Sequence, residues 1–353
     1  MKKWLKVALC ILLAVVLLVG GYVAYVFIDY HRLGDMTLTP EHNAGAAESG
    51  TVYTMISYNI GFGAYESDYG FFMDGGTESR AWSKERLTKN LTAISTFLQE
   101  QDADFYLLQE VDTNATRTYQ VDERAYFTEA LSGMSWVFCQ NYDSPYLMYP
   151  LLKPHGASQA GLMTFSTADI AAASRVELPI EGGFMKLLDL DRCYSVSRIP
   201  VSGGKELVLY NLHLSAYTSD GTIATEQLKL LLADMQAEYE SGNWCVAGGD
   251  FNKDLLGDSA AWFGEADQSY SWAQPIPAET FADVDVSLAA PLDENDPVPS
   301  CRNADGPYHE GQYVLTVDGF LTTPNVTVSQ ATVLDTGFAW SDHNPVKMTF
   351  TLS

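Results

Sequence analysis

The chain has 353 residues, 47% of them hydrophobic, and a formal net charge of -25. That length and apolar content can fill the core of one large domain or two modest ones. The acidic balance excludes a protein held on nucleic acid mainly by a basic surface, because phosphate neutralisation requires clustered Lys and Arg.

Met1 to Lys6 carries Lys2, Lys3 and Lys6, and a charge-free stretch follows from Val7 to Ile28. At 1.5 Å rise per residue that stretch is roughly 33 Å long as a helix, enough to cross a bilayer. A secretory signal core is shorter and ends at a small-residue cleavage site. Gly20-Gly21-Tyr22-Val23 offers no clean site, so the reading is an uncleaved anchor over 7–28. A cleaved signal and a buried core helix are the alternatives. Lysines before the span place residues 1–6 in the cytoplasm and the bulk of the chain outside. Residues 29–50 are polar and irregular and read as a flexible tether. A folded domain is expected over 51–353.

Within that domain Trp82 to Gln101 carries Leu87, Leu91, Ile94 and Leu98 at helical spacing. Thr225 to Tyr239 repeats the pattern with Leu228, Leu231, Leu232 and Met235. Both predict amphipathic helices that cover a sheet face. Strand-like runs occupy Leu162 to Phe165, Tyr194 to Ile199, Leu207 to Leu212 and Val346 to Leu352. No internal repeat of fixed period is present. Short strands interleaved with helices predict two layered sheets with outer helices. Asp254 to Gln312 reads as an elaborated loop region holding Trp262, Phe263, Tyr270 and Trp272, with Arg302 its one Arg or Lys beyond Asp254. It is either a satellite packing layer or a substrate-shaping lid. Cys139, Cys193, Cys245 and Cys301 show no metal-type pairing and are either disulfide partners or buried thiols. Asn90, Asn114 and Asn325 head glycosylation triplets, a pattern that arises often by chance.

Several apolar runs end in residues suited to phosphate chemistry. They are Met55-Ile-Ser-Tyr-Asn59, Phe105-Tyr-Leu-Leu-Gln-Glu110, Leu207-Val-Leu-Tyr-Asn-Leu-His213 and Trp244-Cys-Val-Ala-Gly-Gly-Asp250-Phe-Asn252. Val317-Asp318-Gly319-Phe320 and Ser341-Asp342-His343-Asn344 complete the set. Each has a plainer reading alone. Glu110 fits a solvated loop residue, Gly249-Asp250-Phe251-Asn252 a turn, and His213 a hydrogen-bonded structural imidazole. A carboxylate closing a buried strand is costly without a partner, which makes a cation plausible at Glu110. Asp250 and Asn252 share a face of an extended chain. An imidazole such as His343 takes a proton near pH 7, and works better when a carboxylate fixes its tautomer.

Taken together and in this order, the motifs resemble the endonuclease/exonuclease/phosphatase superfamily, across nearly all of 51–353. The group includes pancreatic-type deoxyribonucleases, neutral sphingomyelinases and inositol-polyphosphate 5-phosphatases. The resemblance implies an α/β (α+β) fold, a four-layer sandwich of two mixed sheets flanked by helices, here preceded by one transmembrane helix. It implies magnesium, or manganese, held by Glu110 with Asn59 beside it, and Asp342 as a further contact. It assigns catalytic roles to His213, Asp250, Asn252, Asp318 and His343. Leu212 stands where Thr is common, and Gly319 where a larger residue is common.

The expected activity is hydrolysis of a phosphodiester or phosphomonoester by in-line attack of water, outside the cytoplasm. Nucleic acid, a phospholipid headgroup or a small phosphorylated molecule is the substrate. Arg80, Arg86, Lys186 and Arg192 are the cations available to bind a polyphosphate. The chain is expected to be a monomer. The reading from another class is a catalytically inactive binding module of the same fold on the cell surface. It predicts erosion of Glu110, Asp250, His213, Asp318 or His343, and all five are intact.

Overall fold

Ile56 and Tyr58 face one way on strand β2 (Val52–Asn59), and Met55 the other, and the two faces meet different layers. The computed structural model describes residues 3–42, 45–182, 186, 190–216, 221–264 and 273–353. In the first sheet β2 lies fourth from the far edge. The order is β14 (Val326–Val333), β15 (Val346–Leu352), β2, β3 (Phe105–Asp112), β5 (Gln159–Ser166) and β4 (Ser135–Asp143). The second sheet runs β1 (Met36–Leu38), β6 (Ala172–Glu177), β7 (Cys193–Val201), β8 (Lys205–His213), β9 (Trp244–Asp250), β13 (Asp318–Thr322) and β10 (Ser287–Ala289). A short ribbon of β11 (Cys301–Arg302) and β12 (Val314–Leu315) stands apart.

Met55, Phe105, Leu107, Met348 and Phe350 pack against Leu207, Leu209, Val246 and Phe320 between the sheets. Helix α2 (Lys84–Gln101) lays Leu87, Leu91, Ile94 and Leu98 on the outer face of the first sheet, against Ile56, Tyr106 and Leu108. Ser83 caps it by accepting from the Arg86 amide at 3.1 Å, and Asp102 ends it in the left-handed conformation. Helices α3 (Arg124–Ala130) and α4 (Thr222–Glu240) follow, and α4 covers the second sheet with Leu228, Leu231, Leu232 and Met235. Each fully buried Leu contributes roughly 1.5–3 kcal/mol. The result is the expected four-layer sandwich of two mixed sheets flanked by helices. Both amphipathic segments are helical and all four strand-like runs are strands. A single turn, α5 (Ser259–Phe263), carries Trp262 and Phe263, while Tyr270 and Trp272 fall outside the described residues.

Two features depart from expectation. The stretch 29–50 is not a free tether. Its Met36–Leu38 segment is the edge strand β1, paired antiparallel with β6, and Ala47 is buried beside Val201. The buried guanidinium of Arg175 donates to the carbonyls of Leu33 and Gly34, and Arg32 pairs with Glu177 at 3.2 Å. Backbone pairing and ion pairs hold this segment, and neither requires an apolar pattern in the sequence. Asn90 is buried in α2, where it donates to the carbonyls of Gly63 and Trp340, so its triplet is not an accessible acceptor.

The N-terminal helix α1 (Lys3–Asp29) has 27 residues, with its apolar side chains exposed apart from the buried Val26 and the half-buried Tyr22. Among the described residues it is the one helix long and apolar enough to cross a membrane. A signal sequence near an N-terminus meets the same description.

Candidate active site

Among the described residues two strand pairs are parallel, β2 with β3 and β8 with β9, each joined through a covering helix, α2 or α4. Parallel strands end at the same rim, so Asn59 closes β2, Glu110 nears the end of β3, His213 closes β8 and Asp250 closes β9. Antiparallel neighbours bring their beginnings to that rim. Asp318 opens β13 directly opposite Asp250, and His343 lies just before β15. All eight residues expected at the site therefore gather at one edge of the sandwich.

Backbone conformation aims them. A register shift between Leu108 and Val111 interrupts the ladder at Glu110, which takes φ 57. The bulge turns its carboxylate out of the sheet. Gly249 is obligatory for a steric reason. A Cβ there would lie 2.0 Å from the Leu212 carbonyl oxygen, inside any permitted contact.

The hydrogen bonds define two groups. His343 Nδ1 lies 2.7 Å from Asp318 Oδ2, and Ser300 donates its hydroxyl to the same oxygen at 2.7 Å. Asp318 does not line the cleft; it orients His343 from behind. Around Asp250, the Nε2 atoms of His213 and His343 stand 3.5 and 3.8 Å from Oδ2. Asn59 Nδ2 donates to Asp250 Oδ2 at 3.0 Å and to Glu110 Oε1 at 3.2 Å. Its Oδ1 accepts from the Gly61 amide at 3.0 Å. Asn59 thus presents a donor to the carboxylates. It sits beside Glu110, and these bonds position Glu110 and Asp250. Asn252, at φ 48, gives its amide N–H to Asp250 Oδ1 and one Nδ2 proton to Leu214 O, each at 2.8 Å.

Burial sets the protonation of these groups. It pushes Asp250 up to about 7. Glu110 and Asp342 are raised by burial as well, and Asp342 raises Glu110 further. His213 is held well below the ordinary imidazole range by burial and by the Arg192 charge, so it is neutral at pH 7. Burial alone would depress His343, but the Asp318 carboxylate overcomes it and raises the ring well above its usual value. The Cys301 thiol, 3.6 Å from His343 Nε2, is pushed up to about 12 and is neutral there, so Asp318 is the effective charge.

Glu110, Asp250 and Asp342 line the same cleft as oxygen donors whose charge burial disfavours, the donor type that a hard cation such as magnesium suits. Asp250, Asp318 and His343 also place one donor atom each within 4.8 Å of one another. The hydrogen bond between Asp318 and His343 Nδ1 occupies that pair.

The cleft has a volume of about 490 Å³. Beyond the expected residues it is lined by Arg117, Arg192, Arg302 and His155. Arg117 grips Asp112 through two hydrogen bonds of 3.0 and 2.8 Å and lies 3.9 Å from the Phe62 ring centre. Of the four cations considered from sequence only Arg192 is at the cleft. Arg86 pairs with Glu66 and Asp68, Arg80 donates to Pro154 O, and Lys186 lies over Tyr30. No local sequence signal marks Arg117 as a cleft residue, because its place against Phe62 comes from the fold. The outer walls come from Phe62–Asp74 and Asn141–His155. From Asp254–Gln312, only 301–304 line the cleft among the described residues. Ala273, Cys301, Tyr313 and Leu315 form a satellite packing cluster.

The model of the Endonuclease/Exonuclease/phosphatase family matches residues 56–343, and the chain belongs to that family. Solved structures agree on the fold. An endonuclease/exonuclease/phosphatase from Beutenbergia cavernae is 17% identical, with a TM-score of 0.56 over 86% of this chain and 72% of that one. ANGEL2, described as a 2′,3′-cyclic phosphatase in complex with adenosine-2′,3′-vanadate, is 15% identical, with a TM-score of 0.55 over 90% and 99%. A Bacteroides vulgatus family member is 14% identical, with a TM-score of 0.54 over 86% and 100%. No curated protein matches the sequence.

Proposed function

We propose that the protein is a membrane-anchored, divalent-metal-dependent phosphoesterase acting outside the cytoplasm. The observation that carries the catalytic part is the convergence of the Asp318–His343 pair, His213, Asp250 and Asn252 on one cleft beside the buried carboxylates of Glu110 and Asp342. The family supports a phosphoester substrate. The apolar α1, with lysines before it, supports the anchor and its outward orientation.

Glu110 and Asp342 would hold magnesium or manganese. When bound, the ion supplies positive charge that stabilises the anionic phosphoryl group and lowers the proton affinity of neighbouring carboxylates and imidazole. The remaining steps belong to the chain. Asp318 accepts from His343 Nδ1–H and so leaves Nε2 as the proton-accepting atom. His343 Nε2 takes the proton from a water aligned behind phosphorus, with Asp250 orienting that water. Asn252 retains a second Nδ2 proton for a phosphoryl oxygen. Neutral His213 donates from Nε2, and it needs no deprotonation at pH 7 because burial keeps it uncharged. Hydrogen bonds aimed at developing charge are worth most in such a water-poor site.

The test is hydrolysis of bis(p-nitrophenyl) phosphate by the full chain in detergent. Magnesium-dependent turnover is expected, abolished by chelator and lowered about 100-fold or more in His343→Ala. Turnover unaffected by chelation, or full activity in the variant, overturns the mechanism. For the anchor, protease added to intact cells should remove the domain, and complete protection would reverse the orientation.

A further inference from the structure

Between β4 and β5 the chain reads Tyr146-Leu-Met-Tyr-Pro-Leu-Leu152. Leu147 and Gly156 exchange backbone hydrogen bonds of 3.1 and 3.0 Å, closing the base of the loop. His155 Nδ1 holds the Ser79 carbonyl at 2.9 Å, and Lys153 meets Glu78 at 2.5 Å. The base is therefore fixed, while the tip is apolar and bare. Leu151 is 80% exposed, Leu152 102% and Tyr149 68%. Consecutive large apolar side chains in that state are unusual on a soluble surface and mark an interaction site.

The same loop is tied to α1. Tyr22 donates its hydroxyl to Tyr146 O at 3.1 Å and accepts from the Met148 amide at 3.3 Å. The Tyr146 amide donates to the Tyr25 hydroxyl at 3.0 Å. Tyr22 and Tyr25 lie roughly 6–10 Å below Asp29 along the helix axis. They occupy the last turns of the apolar stretch, where tyrosines gather at the membrane–water boundary. The loop is thus held at the depth of that boundary. The other face of its base is the cleft, since Leu147 and Tyr149 line it, and Phe72 packs on Tyr149 with ring centres 5.6 Å apart.

We infer that the 146–152 loop docks into the bilayer that α1 crosses, which places the mouth of the cleft at headgroup level and makes its substrate the phosphoester of a membrane lipid. This rests on the anchor and phosphoesterase readings above. The occupant is a bilayer because the exposed tip is continuous with a spanning helix through three hydrogen bonds. The net charge of -25 disfavours an anionic surface, so a zwitterionic headgroup fits better. Leu151 and Leu152 would enter by apolar burial, with little dependence on salt.

The experiment uses the full chain with Cys10→Ser and Leu152→Cys, labelled with an environment-sensitive fluorophore and reconstituted in phosphatidylcholine vesicles. Lys89→Cys on exposed α2 serves as the reference position. Blue-shifted emission at 152, quenched at least twofold by spin-labelled phosphatidylcholine, is expected, with neither effect at 89. Water-like emission at 152 overturns the inference. So does blue-shifted emission that the spin-labelled lipid does not quench, which would indicate a second copy covering the loop. A double variant, Leu151→Asp with Leu152→Asp, separates the readings. Phosphatidylcholine hydrolysis in vesicles should fall tenfold or more, while bis(p-nitrophenyl) phosphate turnover stays within twofold. Equal loss on both substrates, or no vesicle hydrolysis by the parent that cleaves the soluble ester, overturns the lipid substrate. No turnover of either by the parent sinks the phosphoesterase reading instead, and the fluorescence still judges the loop.

Discussion

Gln109 donates from Nε2 to Asn211 Oδ1 at 2.8 Å, joining the strand that carries Glu110 to the strand that carries His213. Asn211 in turn donates to the carbonyls of Leu108 and Met163 at 3.2 and 2.9 Å. A buried polar clasp therefore crosses the otherwise apolar gap between the sheets, one residue before Glu110 and two before His213. Replacing Asn211 with Leu removes these three hydrogen bonds, although Gln109 Nε2 keeps the Ser57 hydroxyl and the Leu107 carbonyl, each at 3.2 Å. Each buried hydrogen bond so lost costs about 0.5–1.5 kcal/mol. Urea unfolding should show a loss of about 2–4 kcal/mol, and a change below about 0.5 kcal/mol would show that the clasp carries no stability.

The Asp318–His343 pair predicts a kinetic signature. Asp318→Asn keeps the shape behind the imidazole but removes the charge that fixes its tautomer. The expected result is kcat lowered about 100-fold or more with KM within about threefold, because Asp318 does not face the cleft. A KM effect larger than the kcat effect would assign Asp318 to substrate binding instead.

His155 predicts how stability depends on pH. Burial first, and the Arg117 charge next, lower its pKa to about 3. The unfolded chain binds its proton near pH 6.5, so between about 6.5 and 3 the unfolded state holds more protons than the folded one. The contribution is complete above 6.5 and is lost as pH falls, by up to about 1.4 kcal/mol per pH unit. Urea midpoints measured at pH 7 and pH 4 should therefore drop less in His155→Gln than in the parent. Parallel drops would mean that His155 is protonated in the folded protein.

Cys139 on β4 and Cys193 on β7 bring their sulfurs to 3.6 Å across the two sheets, as buried free thiols. Oxidised glutathione should join them: one disulfide forms, and the glutathione disulfide is reduced to two thiols. The expected product is a linked peptide pair after non-reducing digestion, with a stabilisation of about 4 kcal/mol for a loop of this length. Oxidation that links neither cysteine to the other would show that the sheets cannot close that gap.

The layers were legible because periodicity is a local property. Leu87, Leu91, Ile94 and Leu98 announce α2 by spacing alone, and Val346–Leu352 alternates as a half-buried strand must. The ends of the apolar runs also marked where chemistry sits, since a polar group closing a buried strand must reach a rim. The orientation of the Asn59 amide was not legible, because it depends on its partners, here the Gly61 amide on one side and two carboxylates on the other. The stretch 29–50 reads as a tether from sequence because an edge strand held by backbone bonds leaves no pattern in its side chains.

By itself, then, the sequence determined the family, the two-sheet architecture, the residues that close the strands at one rim, and an apolar helix long enough to span a bilayer. These follow from short-range order and from motifs read in sequence. Only the tertiary structure decided that Arg117 meets Phe62, that Arg302 enters the cleft, and that the 146–152 loop meets Tyr22 and Tyr25. Those pairings join residues far apart in the chain, and their energy exists only once the strands between them have packed.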